Sequence, residues 1–287
     1  MEHLSGSVAV VTGGASGIGL ALGKRFAAEG MQVVLADVEP GALEQAVAEL
    51  SATGASVLGV RTDVSDPDAL VRLRDATLAR FGKVNVLCNN AGVQRSAPTW
   101  KLTDREWRWL VDVNLLGVVN GIRAFVPRML EQGDPCHVVN TASLGGLVSA
   151  PFMSAYCSTK YAVVALSESL RGELGGSNVG VSVLCPAFVR TRLGDADRNM
   201  PDALEVGLSA EEIEERRNIG RGAAALVEGG ISVDIVSDSV VDALRRGRFY
   251  VITHPEAIGA FKKRADIILR AATEAKEFLR SRGETAS

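Results

Sequence analysis

Residues 8–19 read VAVVTGGASGIG, and the fold follows from what this stretch joins. The β-branched run at 8–11 predicts a buried strand, and the apolar spacing through Leu20, Leu22, Phe26 and Ala27 predicts a helix directly behind it. Between them lies a glycine turn. Glycine lets the backbone approach a ligand closely, and a helix N-terminus offers free N–H groups and partial positive charge. Gly13, Ala15, Ser16, Gly17, Ile18 and Gly19 are therefore candidate contacts for a phosphate group.

Working outward, a second strand at 32–36 delivers Asp37 eighteen residues beyond Gly19. A carboxylate there accepts both hydroxyls of an adenosine ribose and repels a 2′-phosphate. Neither Ser16 nor Val38 supplies a cation, so NAD is expected over NADP. The competing reading makes Asp37 a cap for the helix GALEQAVAEL. A third strand at 57–60 leads to Asp63, Val64 and a helix start at Asp66-Pro67. The apolar run KVNVLC then enters the turn Asn90, Ala91, Gly92, expected near the cofactor. Thr103 and Glu106 have capping-box spacing and open a long helix toward Met129. Within it Asn114 is poorly explained by helix propensity and needs a wet face or a specific partner.

Residues 143–160, SLGGLVSAPFMSAYCSTK, place Tyr156 and Lys160 one helical turn apart, with Ser143 thirteen residues before the tyrosine. A phenol titrates near ~10, and an adjacent ammonium is expected to bring it toward the working range. A tyrosine so placed can act as acid or base. Ser143 follows a strand at 137–140, on the carboxyl side where ligands bind in open parallel sheets. A sixth strand at 179–184 leads to CPAFVRT. The polar segment 192–230, with a helical piece near 211–217, is expected to be a movable lid. A helix near 240–246 and a strand in RFYVIT complete a domain spanning 1–254. Residues 255–287 form a helical extension with an apolar seam of Ile258, Phe261, Ala265, Ile268, Ala272, Ala275 and Leu279.

Composition narrows the partners. A net charge of −3 with 31 Lys and Arg spread along the chain leaves no basic footprint for nucleic acid. The start MEHLSGSVAVV lacks a basic region followed by an apolar core, and no stretch reads as a membrane span, so a cytoplasmic protein is expected. Cys88, Cys136, Cys157 and Cys185 lack CxxC spacing and the three histidines are scattered; reduced cysteines and no metal site are expected.

TGGASGIG, Asp37, Asp63, NNAG, Asn114, Ser143, YCSTK and PAFVRT, in this order over roughly residues 5–252, resemble the short-chain dehydrogenase/reductase family. The resemblance implies an α/β single-domain Rossmann fold, with a doubly wound seven-stranded parallel sheet, and homodimers or homotetramers. It implies a catalytic set of Asn114, Ser143, Tyr156 and Lys160. Tyr156, Lys160, Pro186, Val189 and Thr191 would also meet the cofactor, Lys160 at the nicotinamide ribose, while Asn114 would hold a relay water. Ala187 stands where the family commonly has glycine. The expected reaction moves a hydride between NAD and a hydrophobic secondary alcohol or ketone. Its expected substrate walls are Val93, Leu144, Leu147, Val148, Phe152, Met153, Phe188 and Leu193. Alternatives are an NADPH-dependent 3-oxoacyl reductase acting on a carrier-bound chain, which Asp37 disfavours, and a catalytically idle NAD-binding scaffold.

Overall fold

The computed structural model describes Met1, residues 3–200, residues 208–282 and Glu284. Strands β1 (Val8–Thr12), β2 (Gln32–Asp37), β3 (Val57–Arg61), β4 (Val86–Asn89), β5 (Cys136–Thr141), β6 (Val179–Cys185) and β7 (Tyr250–Ile252) form one sheet ordered β3-β2-β1-β4-β5-β6-β7. Every pairing is parallel. Parallel strands need covered crossovers, which puts helices on both faces and makes the strands read as continuous apolar runs. In β1, Val8 and Val10 enter the core under α3 (Pro67–Phe81), α5 (Gly117–Gln132) and α6 (Ser154–Glu173). Ala9 and Val11 enter the core under α1 (Gly17–Ala28), α2 (Pro40–Ala52) and α8 (Val233–Arg246). Full burial of each such valine contributes about 2 kcal/mol.

Helix starts follow the local chemistry. Asp66 caps α3 by accepting from the Asp68 N–H, with Pro67 in the first turn. Thr103 and Glu106 form the expected capping box of α4 (Asp104–Val111). The helix beyond it is not regular: Asp112–Leu116 forms a π turn before α5. This π turn contains Asn114, the residue that helix propensity left unexplained. By length and composition alone, Asp104–Gln132 could cross a membrane, contrary to the sequence expectation. Its Leu110, Phe125 and Met129 are fully buried within the protein, as in a core helix.

The segment expected as a lid contains a 3₁₀ turn at Leu193–Asn199 and α7 (Ala210–Glu228), a longer helix than the sequence pattern suggested. Residues 201–207 of that segment lie outside the described residues. A second compact unit begins at His254 and contains α9 (Ile258–Ser281), in which no residue is buried.

Candidate active site

The strand order reverses between β1 and β4, and in such sheets the crevice opens at the carboxyl ends of the strands flanking that point. A cleft of about 300 Å³ lies there. At one end stands the glycine turn. Thr12, which the sequence reading passed over, stitches this end together: its Oγ1 accepts from the Asn90 N–H at 2.9 Å and the Ala91 N–H at 3.1 Å. Gly13 (φ 63°) and Gly17 (φ 53°) occupy the left-handed region, which the chain needs in order to turn from β1 into α1. A Cβ on Gly19 would lie 2.0 Å from the Gly13 carbonyl oxygen. Ser16 caps α1 through backbone geometry only, and the first turn carries no acidic side chain, so its N–H groups stay available.

Asp37 closes the same end. Its Oδ2 accepts from the Ala15 N–H at 2.9 Å and its Oδ1 from the Glu39 N–H at 3.1 Å. Glu39, not Asp37, is the N-cap of α2, which removes the helix-cap reading. Gly13, Ser16, Gly17, Ile18, Asp37, Asp63, Val64, Asn90, Ala91, Gly92, Pro186, Val189 and Thr191 line the cleft. Ala15 and Gly19 do not; they stand behind the wall and hold the turn together.

Ser143, Tyr156 and Lys160 line the other end. Ser143 stands close enough to the Tyr156 hydroxyl to favour its ionised form. Ser143 Oγ accepts from the Gly145 N–H at 3.0 Å and reaches the Pro186 carbonyl at 3.3 Å. Lys160 Nζ donates to the Thr141 carbonyl at 2.9 Å and lies 5.6 Å from the Tyr156 ring centroid. Asn114 is completely buried behind them. Its Oδ1 accepts from the Val93 N–H at 2.8 Å, while its Nδ2 donates to the Val93 carbonyl at 2.9 Å and to Thr159 Oγ1 at 3.3 Å. The amide thus fixes the chain after Gly92 against α6, and Oδ1 keeps one lone pair spare.

The electrostatics differ from the sequence expectation. Burial pushes the Tyr156 phenol up to about 12, with Ser143 working the other way. Burial pushes the Lys160 ammonium down to about 8. The expected lowering of the phenol does not occur here because both groups are desolvated together, which favours the neutral form of each. All four cysteines are free and buried. Cys157 beside Tyr156 has its thiol raised by burial and fills space.

Of the expected substrate residues, Val93 and Leu193 line the cleft. Leu144, Leu147, Val148, Phe152, Met153 and Phe188 do not. Leu147 packs on the core, and Phe152 and Phe188 are about half exposed. The chain after Ser143 enters a 3₁₀ turn at Leu144–Gly146 rather than an extended wall. Trp109 and Val113 supply apolar lining instead. Their spacing of four, on the helix that carries Asn114, was the available signal.

Two ion-pair clusters anchor the described parts of the 192–230 segment. Arg198 Nε and Asn199 Nδ2 both donate to Glu39 Oε1 at 2.9 Å. On α7, Arg216 Nη2 donates to the Lys101 carbonyl at 2.6 Å, and its Nε lies 3.2 Å from Glu106 Oε1 without a well-aligned hydrogen bond. Arg95 Nε meets the same Glu106 oxygen at 2.9 Å. Burial opposes the Glu106 charge, but Thr103, Arg95 and Arg216 together outweigh it and hold the carboxyl below its ordinary range.

A doubly wound parallel sheet with a glycine turn and a Ser-Tyr-Lys cleft at its switch point defines a dinucleotide-binding oxidoreductase. Residues 7–202 match the model of the short chain dehydrogenase family, and the chain belongs to that family. It is 40% identical over 257 residues to a 1-deoxy-11-beta-hydroxypentalenate dehydrogenase of Streptomyces exfoliatus, covering 89% of this chain and 86% of that one. It is 33% identical to a C alpha-dehydrogenase of Sphingobium sp., covering 94% and 87%. A short chain dehydrogenase/reductase from Burkholderia phymatum, solved in complex with NAD, superposes with a TM-score of 0.88 at 42% identity, covering 94% and 97%.

Proposed function

We propose that the protein transfers a hydride between NAD and a hydrophobic secondary alcohol or its ketone. The observation that carries this reading is one cleft lined at one end by Ser143, Tyr156 and Lys160 and at the other by the glycine turn and Asp37. The cofactor fits the chain's own atoms. Side chains at Gly13 or Gly17 would crowd Ala91 or Thr191, the α1 N–H groups are uncapped by side chains, and Asp37 is fixed by two backbone N–H groups. Gly13, Ser16, Gly17 and Ile18 would hold the pyrophosphate, Asp37 the adenosine ribose, Asp63 and Val64 the adenine. Asn90, Ala91, Gly92, Lys160, Pro186, Val189 and Thr191 would surround the nicotinamide side. When bound, NAD accepts or returns the hydride. The NAD-bound relative and the relative named for a hydroxy substrate support the same reading.

Ser143 orients the substrate oxygen, and Tyr156 exchanges a proton with it, as base in oxidation and acid in reduction. A phenol pushed up by burial rests protonated. Lys160 remains largely charged at neutral pH and favours the phenolate as the proton leaves. Asn114 positions the Gly92-Val93 backbone beside Lys160, and its spare lone pair suits the expected relay water. Val93, Trp109, Val113 and Leu193 favour an apolar substrate. The described parts of the 192–230 segment would act as a lid over it.

Tyr156→Phe should keep NADH binding, read by fluorescence titration, and lower kcat by about a hundredfold or more. Near-normal turnover overturns the role. Asp37→Ala should raise NADP use relative to NAD, and an unchanged ratio sinks the ribose assignment. A homo-oligomer is expected, with the exposed Ile258 and Ile268 of the α9 seam offering a face to a second copy. Deleting residues 257–287 should then change the mass read by light scattering, and an identical mass rejects that contact.

A further inference from the structure

Beside the aliphatic Val93, Val113 and Leu193, the cleft is lined by Trp109, an aromatic wall with a polar N–H at its edge. The ring packs on a small cluster that includes Val93, Leu110 and Ala155, the residue before Tyr156, which sets it at the reacting end. The helix that carries it, α4, has no freedom to turn. Thr103 and Glu106 close its capping box, and Glu106, one turn before Trp109, is fully buried against Arg95 and Arg216. Leu110, the next residue, is fully buried as well. Yet among the described residues no group accepts a hydrogen bond from Trp109 Nε1, and the atom is not sealed in the interior. A buried tryptophan N–H ordinarily has a partner, and a leucine or phenylalanine would build the same wall without needing one.

We propose that Trp109 Nε1–H donates to a second oxygen of the substrate, away from the reacting carbon, so that the preferred substrate is an apolar alcohol or ketone that also carries a hydrogen-bond acceptor such as a carbonyl, ester or carboxylate. The proposal rests on the hydride-transfer reading above and narrows its substrate class. Open to solvent, the indole N–H bonds water. A substrate seated against Val93, Val113 and Leu193 displaces that water, and a purely apolar one leaves the donor desolvated and unpaired. A substrate with an oxygen at that point replaces the lost bond. The wall then selects by the group it would leave unpaired, which discriminates more strongly than apolar fit alone. Because α4 is pinned, the donor stands in place before the substrate arrives, and little ordering opposes the bond.

The test compares the unmodified chain with W109F, which keeps an aromatic ring and removes the donor. The probes are cyclohexanones carrying an ethyl ester at either remote ring position, and the same ketones carrying a pentyl chain of equal size there. For at least one ester position, W109F should lower kcat/KM with NADH about tenfold more than for the matching pentyl ketone. Equal losses for every ester and pentyl pair overturn the proposal, because Trp109 would then be only an apolar wall. A second readout does not depend on turnover. The chain has three tryptophans, so nitrogen-labelled protein shows three indole N–H signals by NMR, and the one missing in W109F belongs to Trp109. With NAD bound in its oxidised form, which cannot reduce a ketone, the same ester should move the Trp109 signal downfield and the pentyl ketone should not. Trp100, 84% exposed, serves as the control. A Trp109 signal that no ester moves downfield overturns the proposal. Failure of the hydride-transfer reading looks different: no ketone would oxidise NADH, whether or not the Trp109 signal moves.

Discussion

At the cofactor end of the cleft, the joints are backbone and glycine: Thr12 bonds two N–H groups of the 90–92 turn, Asp37 bonds that of Ala15, and Gly19 touches the Gly13 carbonyl with no room for a methyl group. At the substrate end, the joints are side chains reaching across the fold, Arg216 and Arg95 to Glu106 and Lys101 to Glu215, together with a loop containing Phe152 at φ 65°. The first end's backbone joints cannot move without breaking a strand or helix start, although Arg198 and Asn199 also reach Glu39 at this end through side chains. The second is held by charges and one strained residue, which can rearrange one at a time. A nucleotide that is the same in every turnover suits the first construction, and an alcohol that must enter and leave suits the second.

The severest way to break this contrast is Gly19→Ala. A Cβ 2.0 Å from the Gly13 oxygen forces the turn away from α1, and the variant should lose about 4 kcal/mol or more in chemical unfolding along with NADH binding. Near-normal NADH affinity would mean the cofactor end yields as readily as the substrate end. Glu106→Gln comes next. It leaves Arg95 and Arg216 buried around a neutral group and should cost about 3 kcal/mol, raising KM for the alcohol while NADH affinity holds. Equal losses of both affinities would erase the distinction.

Acid separates the two regions more gently. His137 in β5 is bonded to Ser182 at 2.8 Å and burial lowers it from 6.5 to about 4. The unfolded chain takes up this proton first. Stability should therefore fall as pH drops from about 6.5 toward 4, by up to about 3 kcal/mol, with the slope flattened in His137→Asn. Glu106 has the same sign in a lower window: its folded value is depressed, so its contribution is full above the ordinary carboxylate range and is lost as pH falls below it. An unfolding profile flat between pH 6.5 and 5 in the unmodified chain would remove His137 from this account.

The smallest effect belongs to Phe152→Gly. Releasing a non-glycine residue from the left-handed region gains about 1–2 kcal/mol, and glycine's added chain freedom returns part of it, leaving a net stabilisation under about 1 kcal/mol. Destabilisation instead would mean that the half-exposed ring packs usefully where it stands, and the loop would count as fixed.

The cofactor end was readable along the chain because its parts are close in sequence and demand particular residues. Gly13, Gly17 and Gly19 follow directly from strand to helix, and Asp37 ends the next strand. The Tyr156–Lys160 spacing needed only helical geometry. The substrate wall was read less well. Leu144, Leu147 and Phe152 looked apolar and adjacent to Ser143, yet a 3₁₀ turn and a left-handed residue take them off the cleft, and Trp109 and Val113 come in from another helix. Apolar type alone does not tell a wall from a core.

By itself the sequence determined the order of elements, the glycine turn, the carboxylate at the end of β2 and the Ser-Tyr-Lys constellation, because each depends on local periodicity, backbone freedom or a spacing of a few residues. Only the tertiary structure decided the rest. The Tyr156 phenol goes up rather than down because desolvation is a property of everything packed around it. Asn114 finds its partner in Val93, and Glu106 gathers arginines from positions 95 and 216. Glu39 meets Arg198 across 159 residues of chain, a contact that exists only after the sheet has brought the end of β2 beside the segment following β6.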